Sequence, residues 1–110
     1  MNSNFTESII TKENYTIWVL EGSLNRLNFS EADEKGEKYL EKSTAFVIDL
    51  SKLEYISSAG IRVLMRLSTN AKAQNKKFTV VCPKGMIRDV LEGARIDMLI
   101  PFVSSVDDLD

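Results

Sequence analysis

The sequence predicts an α/β fold in which a mixed, largely parallel sheet of four to five strands is covered by three to four helices. Two observations predict it. Short apolar runs rich in β-branched residues alternate along the chain with segments whose apolar residues recur every three or four positions. The 110 residues suffice for one domain over residues 1–110 and leave little room for a second. We therefore expect a single α/β sandwich.

The first half of the chain predicts two strands, a helix and a central strand. Residues 5–10 and 15–20 flank a polar break, which indicates an antiparallel pair. Residues 45–50 are almost wholly apolar, as is typical of a strand buried on both faces, and residues 51–56 are expected to form a loop. The helix between them has small or apolar residues at spacings of three and four, which predict its buried face: Phe29, Ala32, Gly36, Tyr39 and Leu40.

The second half predicts another amphipathic helix, another buried strand and short C-terminal elements. The strand is expected at residues 78–81, and a short helix follows Pro83 and ends at Gly93. An edge strand at residues 100–103 and a barely started helix in the tail complete the prediction. The second amphipathic helix starts near residue 58, and the spacing predicts its inner face: Ile61, Leu64, Met65, Ser68 and Ala71.

Composition excludes several classes of function. Fourteen basic and sixteen acidic residues give a net charge of -2, so no field favours nucleic acid or an anionic membrane surface. The chain has no histidine, the commonest general base and metal ligand, and its single cysteine, Cys82, lies in an apolar run. No signal peptide or membrane-spanning run is evident, so we expect a cytoplasmic protein without direct membrane insertion. We predict no catalytic residue, no metal and no cofactor.

The stretch most informative about function is Ser57-Ser58-Ala59-Gly60, between a buried strand and an amphipathic helix. In open α/β sheets, ligands and partners are met at such junctions beyond the carboxyl ends of strands. Serine is also one of the best residues for capping a helix N-terminus. The residues alone therefore leave open whether either serine does more than cap the helix.

Residues 47–51 and 55–64 resemble the signature of STAS domains, specifically of the stand-alone anti-sigma factor antagonists. The resemblance extends over nearly the whole chain, since residues 21–25, 78–81 and 90–93 also match. It implies a STAS-like sandwich that acts as a protein-binding switch and not as an enzyme. In that family the serine just before the position of Ala59 and Gly60 is phosphorylated. That serine is Ser58 here, with Ser57 as the second choice.

The resemblance also implies partners for the protein. An unphosphorylated antagonist of this family binds an anti-sigma factor that is also a serine kinase. This binding releases a sigma factor from the anti-sigma factor. Phosphorylation undoes the complex, and a PP2C-type phosphatase restores it. We expect a monomer or weak dimer, with Arg66 one helical turn beyond the binding surface. The expected partner-binding residues are Asn25, Ser57, Ser58, Ile61 and Arg62.

Two positions depart from the common pattern of the family. Ser57 stands where many members have an acidic residue, and Asn25 stands where they often have aspartate, which alters the charge that a kinase would recognise. The alternative function is a constitutive STAS adaptor in a signalling or membrane-transport complex, in which Ser58 only caps the helix. An enzyme with Ser58 as nucleophile is disfavoured, because the chain lacks both histidine and a Gly-x-Ser-x-Gly elbow.

Overall fold

The computed structural model describes residues 5–109 and contains one five-stranded mixed sheet. Within it β1 runs antiparallel to β2, and the other three neighbouring pairs are parallel. The predicted mixed, largely parallel sheet is therefore confirmed. The strands, in their spatial order, are β1 (Phe5–Thr11), β2 (Thr16–Leu24), β3 (Ala45–Ile56), β4 (Lys77–Val81) and β5 (Phe102–Val103).

Three α-helices cover one face of this sheet: α1 (Phe29–Lys42), α2 (Ser58–Ala73) and α3 (Met86–Gly93). The opposite face buries a smaller cluster, Ile17, Val19, Val47 and Val81, against residues of the C-terminal segment. That segment ends in a short 3₁₀ turn, Val106–Asp108, which Ser105 caps, as expected for a barely started helix. The main core between sheet and helices includes Trp18, Phe46, Ile48, Leu64, Leu67 and Leu91.

Gly36 allows α1 to lie close to the sheet and to α2. A Cβ atom at Gly36 would lie 2.7 Å from Cδ1 of Leu67 and 2.8 Å from Cζ3 of Trp18. Both distances are well inside van der Waals contact, so a larger residue would push the helix outward. The spacing that predicted Gly36 on the buried face is thus explained by close packing.

The third strand is longer than the sequence predicts. Residues 51–56, expected as a loop, belong to β3, and Glu21 pairs with Lys52 while Leu24 pairs with Ile56. Because β4 pairs only with residues 45–49, the rest of β3 continues beside β2 alone. Two irregularities in the register accommodate this extension. As a result, the C-terminal end of β3, where α2 begins, lies beside the C-terminal end of β2.

Two predicted core positions are exposed. Phe29 is 39% exposed because it is the first residue of α1 and borders the start of α2. Met65 is 38% exposed, and Ile61 is only half-buried. The buried face of α2 is rotated from the predicted one and includes Gly60, Val63, Leu64, Leu67 and Ala71.

Candidate protein-binding site

The paired ends of β2 and β3 bring the two predicted segments of the site together. Leu24 pairs with Ile56, and the backbone N–H of Ser57 then donates a 2.9 Å hydrogen bond to the carbonyl of Leu24. The loop that starts at Asn25 and the helix that starts at Ser58 therefore leave neighbouring strands at the same end of the sheet. In α/β sheets, partners and ligands bind at this position, beyond the ends of the strands.

Gly60 fixes how closely α2 approaches the end of β2. A Cβ atom there would lie 2.9 Å from Cγ1 of Ile56, 2.9 Å from Cγ of Leu24 and 3.0 Å from the Leu24 carbonyl oxygen. The last of these is a backbone atom and cannot rotate away. The glycine of the motif therefore holds the first turn of α2 against the strand ends.

The two serines have different roles. Ser57 is the N-cap of α2, and its Oγ accepts a 3.3 Å hydrogen bond from the N–H of Gly60. Ser58 is the first residue of the helix, and its side chain is exposed. Its hydroxyl makes no hydrogen bond to any residue between positions 5 and 109. The capping that the sequence left open thus belongs to Ser57, and Ser58 presents its hydroxyl to solvent.

Asn25 shapes the loop beside the two serines. Its Oδ1 accepts from the N–H of Leu27 at 2.9 Å, and its Nδ2 donates to Oγ of Ser23 at 2.7 Å. Its backbone N–H donates to Oδ1 of the buried Asn28, which is the N-cap position of α1. Asn25 therefore lies next to the predicted site, and its amide is engaged in the turn, as an Asx turn requires.

The remaining predicted residues lie along the first three turns of α2. Ile61 packs on the edge of the core, while Arg62 is exposed. Nη2 of Arg66 lies 2.9 Å from Oδ2 of Asp33 and 2.7 Å from Oε2 of Glu37, so it joins α2 to α1. Arg66 therefore has a structural role on the helix pair, whereas Arg62 remains a candidate for contact with a partner.

The sequence did not indicate two apolar residues near this site. Leu27 is 65% exposed in the loop before α1, and Phe29 is exposed at the start of that helix. Periodicity gave no signal for Leu27 and wrongly placed Phe29 on the buried face of its helix, because it reports which residues share a helix face and not where that face runs beyond the sheet. Exposed aromatic and aliphatic residues beside an arginine are typical of protein-binding surfaces.

The described residues offer little to support chemistry at this site. Burial raises the pKa of the Cys82 thiol to about 11, so this cysteine remains protonated and a poor nucleophile at neutral pH. No group of three or more His, Cys, Asp or Glu residues suited to a metal occurs within residues 5–109. In the same range no helix is long and apolar enough to cross a membrane. The site is therefore an exposed surface on which the Ser58 hydroxyl makes no hydrogen bond to the other described residues.

A sequence profile of the STAS domain matches residues 7–109 of this chain. The chain belongs to the STAS domain family. This confirms the resemblance drawn from residues 47–64, and the SpoIIAA-like arrangement of sheet and helices agrees with it. In this STAS domain the motif lies at the strand ends, with Ser57 as the N-cap and Ser58 as the first residue of α2.

Solved STAS-type structures share this fold over nearly the whole chain. An anti-sigma factor antagonist from Mycobacterium paratuberculosis is 19% identical with a TM-score of 0.87, covering 96% of this chain and 90% of that one. The Bacillus cell fate determinant SpoIIAA in its phosphorylated form is 14% identical with a TM-score of 0.68, covering 94% and 95%. RsbS of Moorella thermoacetica is 18% identical with a TM-score of 0.69, covering 92% and 88%. At these identities the similarity establishes the fold.

Proposed function

We propose that this STAS protein is a cytoplasmic anti-sigma factor antagonist controlled by phosphorylation of Ser58. Unphosphorylated, it binds an anti-sigma factor that is also a serine kinase, and phosphorylation by that kinase ends the binding. A PP2C-type phosphatase removes the phosphate. The proposal is supported by the fold shared with anti-sigma factor antagonists, one of which, SpoIIAA, has been solved in unphosphorylated and phosphorylated forms.

The observation that most supports the proposal is that Ser57 and Ser58 make different contacts. Ser57 uses its Oγ to cap α2, so modifying it would remove a cap and destabilise the helix start. Ser58 is exposed and makes no such bond within the described chain, so a kinase can reach its hydroxyl without disturbing the fold. Ser58 is therefore the better phosphoacceptor of the two.

The effect of a phosphate at Ser58 follows from its charge. A phosphoserine adds about -1.5 to -2 charges at neutral pH and strong acceptor oxygens. The first turn of α2 contains no acidic residue, and the positive end of the helix dipole favours an anion there. The domain therefore keeps its structure, while a partner surface shaped for a hydroxyl would have to bury a dianion. The desolvation of that charge opposes binding.

Substitutions of Ser58 test this function. The affinity of each purified anti-sigma factor kinase of the host is measured by calorimetry against wild type, Ser58→Ala and Ser58→Asp. We expect Ser58→Ala to bind like wild type, and Ser58→Asp to bind at least about 30-fold more weakly, as expected for burying an unpaired charge. Ser104→Asp, which adds the same charge at an exposed serine outside α2, serves as the control and should bind normally.

Equal affinity of Ser58→Asp and Ser58→Ala would contradict regulation at Ser58. Tight binding of all three to one protein, with no response to phosphorylation, would instead favour the constitutive adaptor. Absence of binding by wild type to every anti-sigma factor kinase of the host would exclude the antagonist function itself.

A further inference from the structure

A cleft lies between the N-terminal halves of α1 and α2, beside Ser58. It has a volume of about 350 Å³, at the lower end of the range of ligand pockets, which is enough for side chains of a partner. Its floor and walls come from both helices. The lining residues are Phe29, Asp33, Ala59, Arg62, Val63 and Arg66.

The apolar part of this cleft is exposed at a cost to the folded protein. Phe29 is 39% exposed at its edge, and Leu27, two residues earlier in the adjoining loop, is 65% exposed. Single exposed apolar residues are common, but these two lie together at the end of the sheet that carries Ser58. Burying them against a partner would remove this apolar surface from water, which favours binding.

The two arginines of the cleft differ in their partners. Arg66 is engaged by the carboxylates of Asp33 and Glu37, with N–O distances of 2.9 and 2.7 Å from its Nη2. Arg62, one turn closer to Ser58, makes no ion pair or hydrogen bond with the rest of residues 5–109. The cleft therefore presents one unengaged guanidinium group beside an aromatic ring, and its charge complement is a carboxylate.

From this arrangement, and resting on the function proposed above, we infer that the cleft recognises a carboxylate of the protein partner through Arg62. The same partner segment places an apolar side chain against Phe29. Arginine and aromatic residues are both enriched in protein interfaces, and arginine is among the residues that contribute most binding energy there. Residues four apart on a helix have Cβ atoms about 5–6 Å apart, so a phosphate on Ser58 would compete with the partner for Arg62. Phosphorylation would thus weaken the attraction between Arg62 and the partner's carboxylate and would also place a negative charge that repels this carboxylate.

The test measures the affinity of Arg62 and Phe29 variants for the anti-sigma factor kinase that wild type binds. We expect Arg62→Glu, Arg62→Ala and Phe29→Ala each to weaken binding by at least about 30-fold, the range of interface hot spots. Lys72→Glu makes the same charge change as Arg62→Glu at an exposed position near the end of the same helix and should change affinity less than about threefold. Circular dichroism of each variant checks that it is folded.

A charge swap then identifies the partner group. Exposed Asp and Glu residues of the kinase are changed one at a time to Arg, and one of these changes should restore binding to Arg62→Glu but not to wild type. If wild type binds while the Arg62 and Phe29 variants bind equally well, this inference is wrong and the antagonist function stands. If wild type binds no anti-sigma factor kinase, the function fails and the inference fails with it.

Discussion

At the scale of single residues, the site depends on three neighbours with separate tasks. Ser57 caps α2, Ser58 presents its hydroxyl, and Gly60 lets the helix start lie against Leu24. An added side chain at Gly60 would meet a backbone oxygen and could be accommodated only by moving the helix. The position of Ser58 relative to the loop at Asn25 therefore depends on Gly60, which is itself buried.

We predict that Gly60→Ala destabilises the protein by about 1–3 kcal/mol, the usual effect of overpacking. Thermal unfolding followed by circular dichroism measures it, and a domain of this size loses roughly 4–8 °C for each kcal/mol. Gly93→Ala is the matched control, because a Cβ atom there meets nothing within 4 Å and alanine favours a helix. A Gly60→Ala variant as stable as Gly93→Ala would show that close packing at Gly60 is unimportant.

At the scale of elements, one half-buried carboxylate connects the edge strand to the helix layer. Glu7 of β1 accepts hydrogen bonds from Nε1 of Trp18 and Nζ of Lys35, each at 2.6 Å, and from the Tyr39 hydroxyl at 3.3 Å. Burial by itself would raise the pKa of Glu7. The hydrogen bonds from Lys35 and Trp18 outweigh burial, so the pKa of Glu7 is lowered.

This lowered pKa predicts acid destabilisation through Glu7. A carboxyl group whose pKa is lower in the folded than in the unfolded state stabilises the folded protein at pH values above its unfolded pKa, which is about 4.3. This stabilisation is lost as the pH falls through the pKa of the folded state. Urea unfolding between about pH 6 and pH 3 should therefore show a smaller loss of stability for Glu7→Gln than for wild type. At neutral pH we expect Glu7→Gln to be less stable by about 1–2 kcal/mol.

The exposed Glu13 provides the control for this measurement. Glu13→Gln removes the same charge from the turn between β1 and β2 and should keep the pH dependence of wild type. Identical pH dependence of Glu7→Gln and wild type would mean that the Glu7 cluster does not couple β1 to α1.

At the scale of the whole molecule, the sequence predicts the order and type of the elements well because apolar periodicity is strong in each one. The sequence-based prediction fails where contacts between distant segments of the chain determine the local structure. Four of the six residues at positions 51–56 are charged or carry a hydroxyl, so the segment resembles a loop, yet pairing with β2 makes it a strand. Phe29 fits the helical spacing, but its helix starts beyond the core, so the ring is exposed.

The candidate site was predictable only in part, for a related physical reason. The motif around Ser58 was evident in the sequence, whereas the assignment of the cap to Ser57 required the geometry of the helix start. The different environments of Arg62 and Arg66 depend on α1, which is distant in sequence. The packing of Gly60 and the ion pairs of Arg66 leave a preformed surface, so a phosphate at Ser58 would act on binding and not on folding.

The most direct test of the account is phosphopeptide mass spectrometry on the protein isolated from its native cells under several growth conditions. We expect a phosphate on Ser58 in a fraction of the molecules that changes with conditions, and none on Ser57. A phosphate on Ser57 alone, or no phosphate at either serine under any condition, would contradict it.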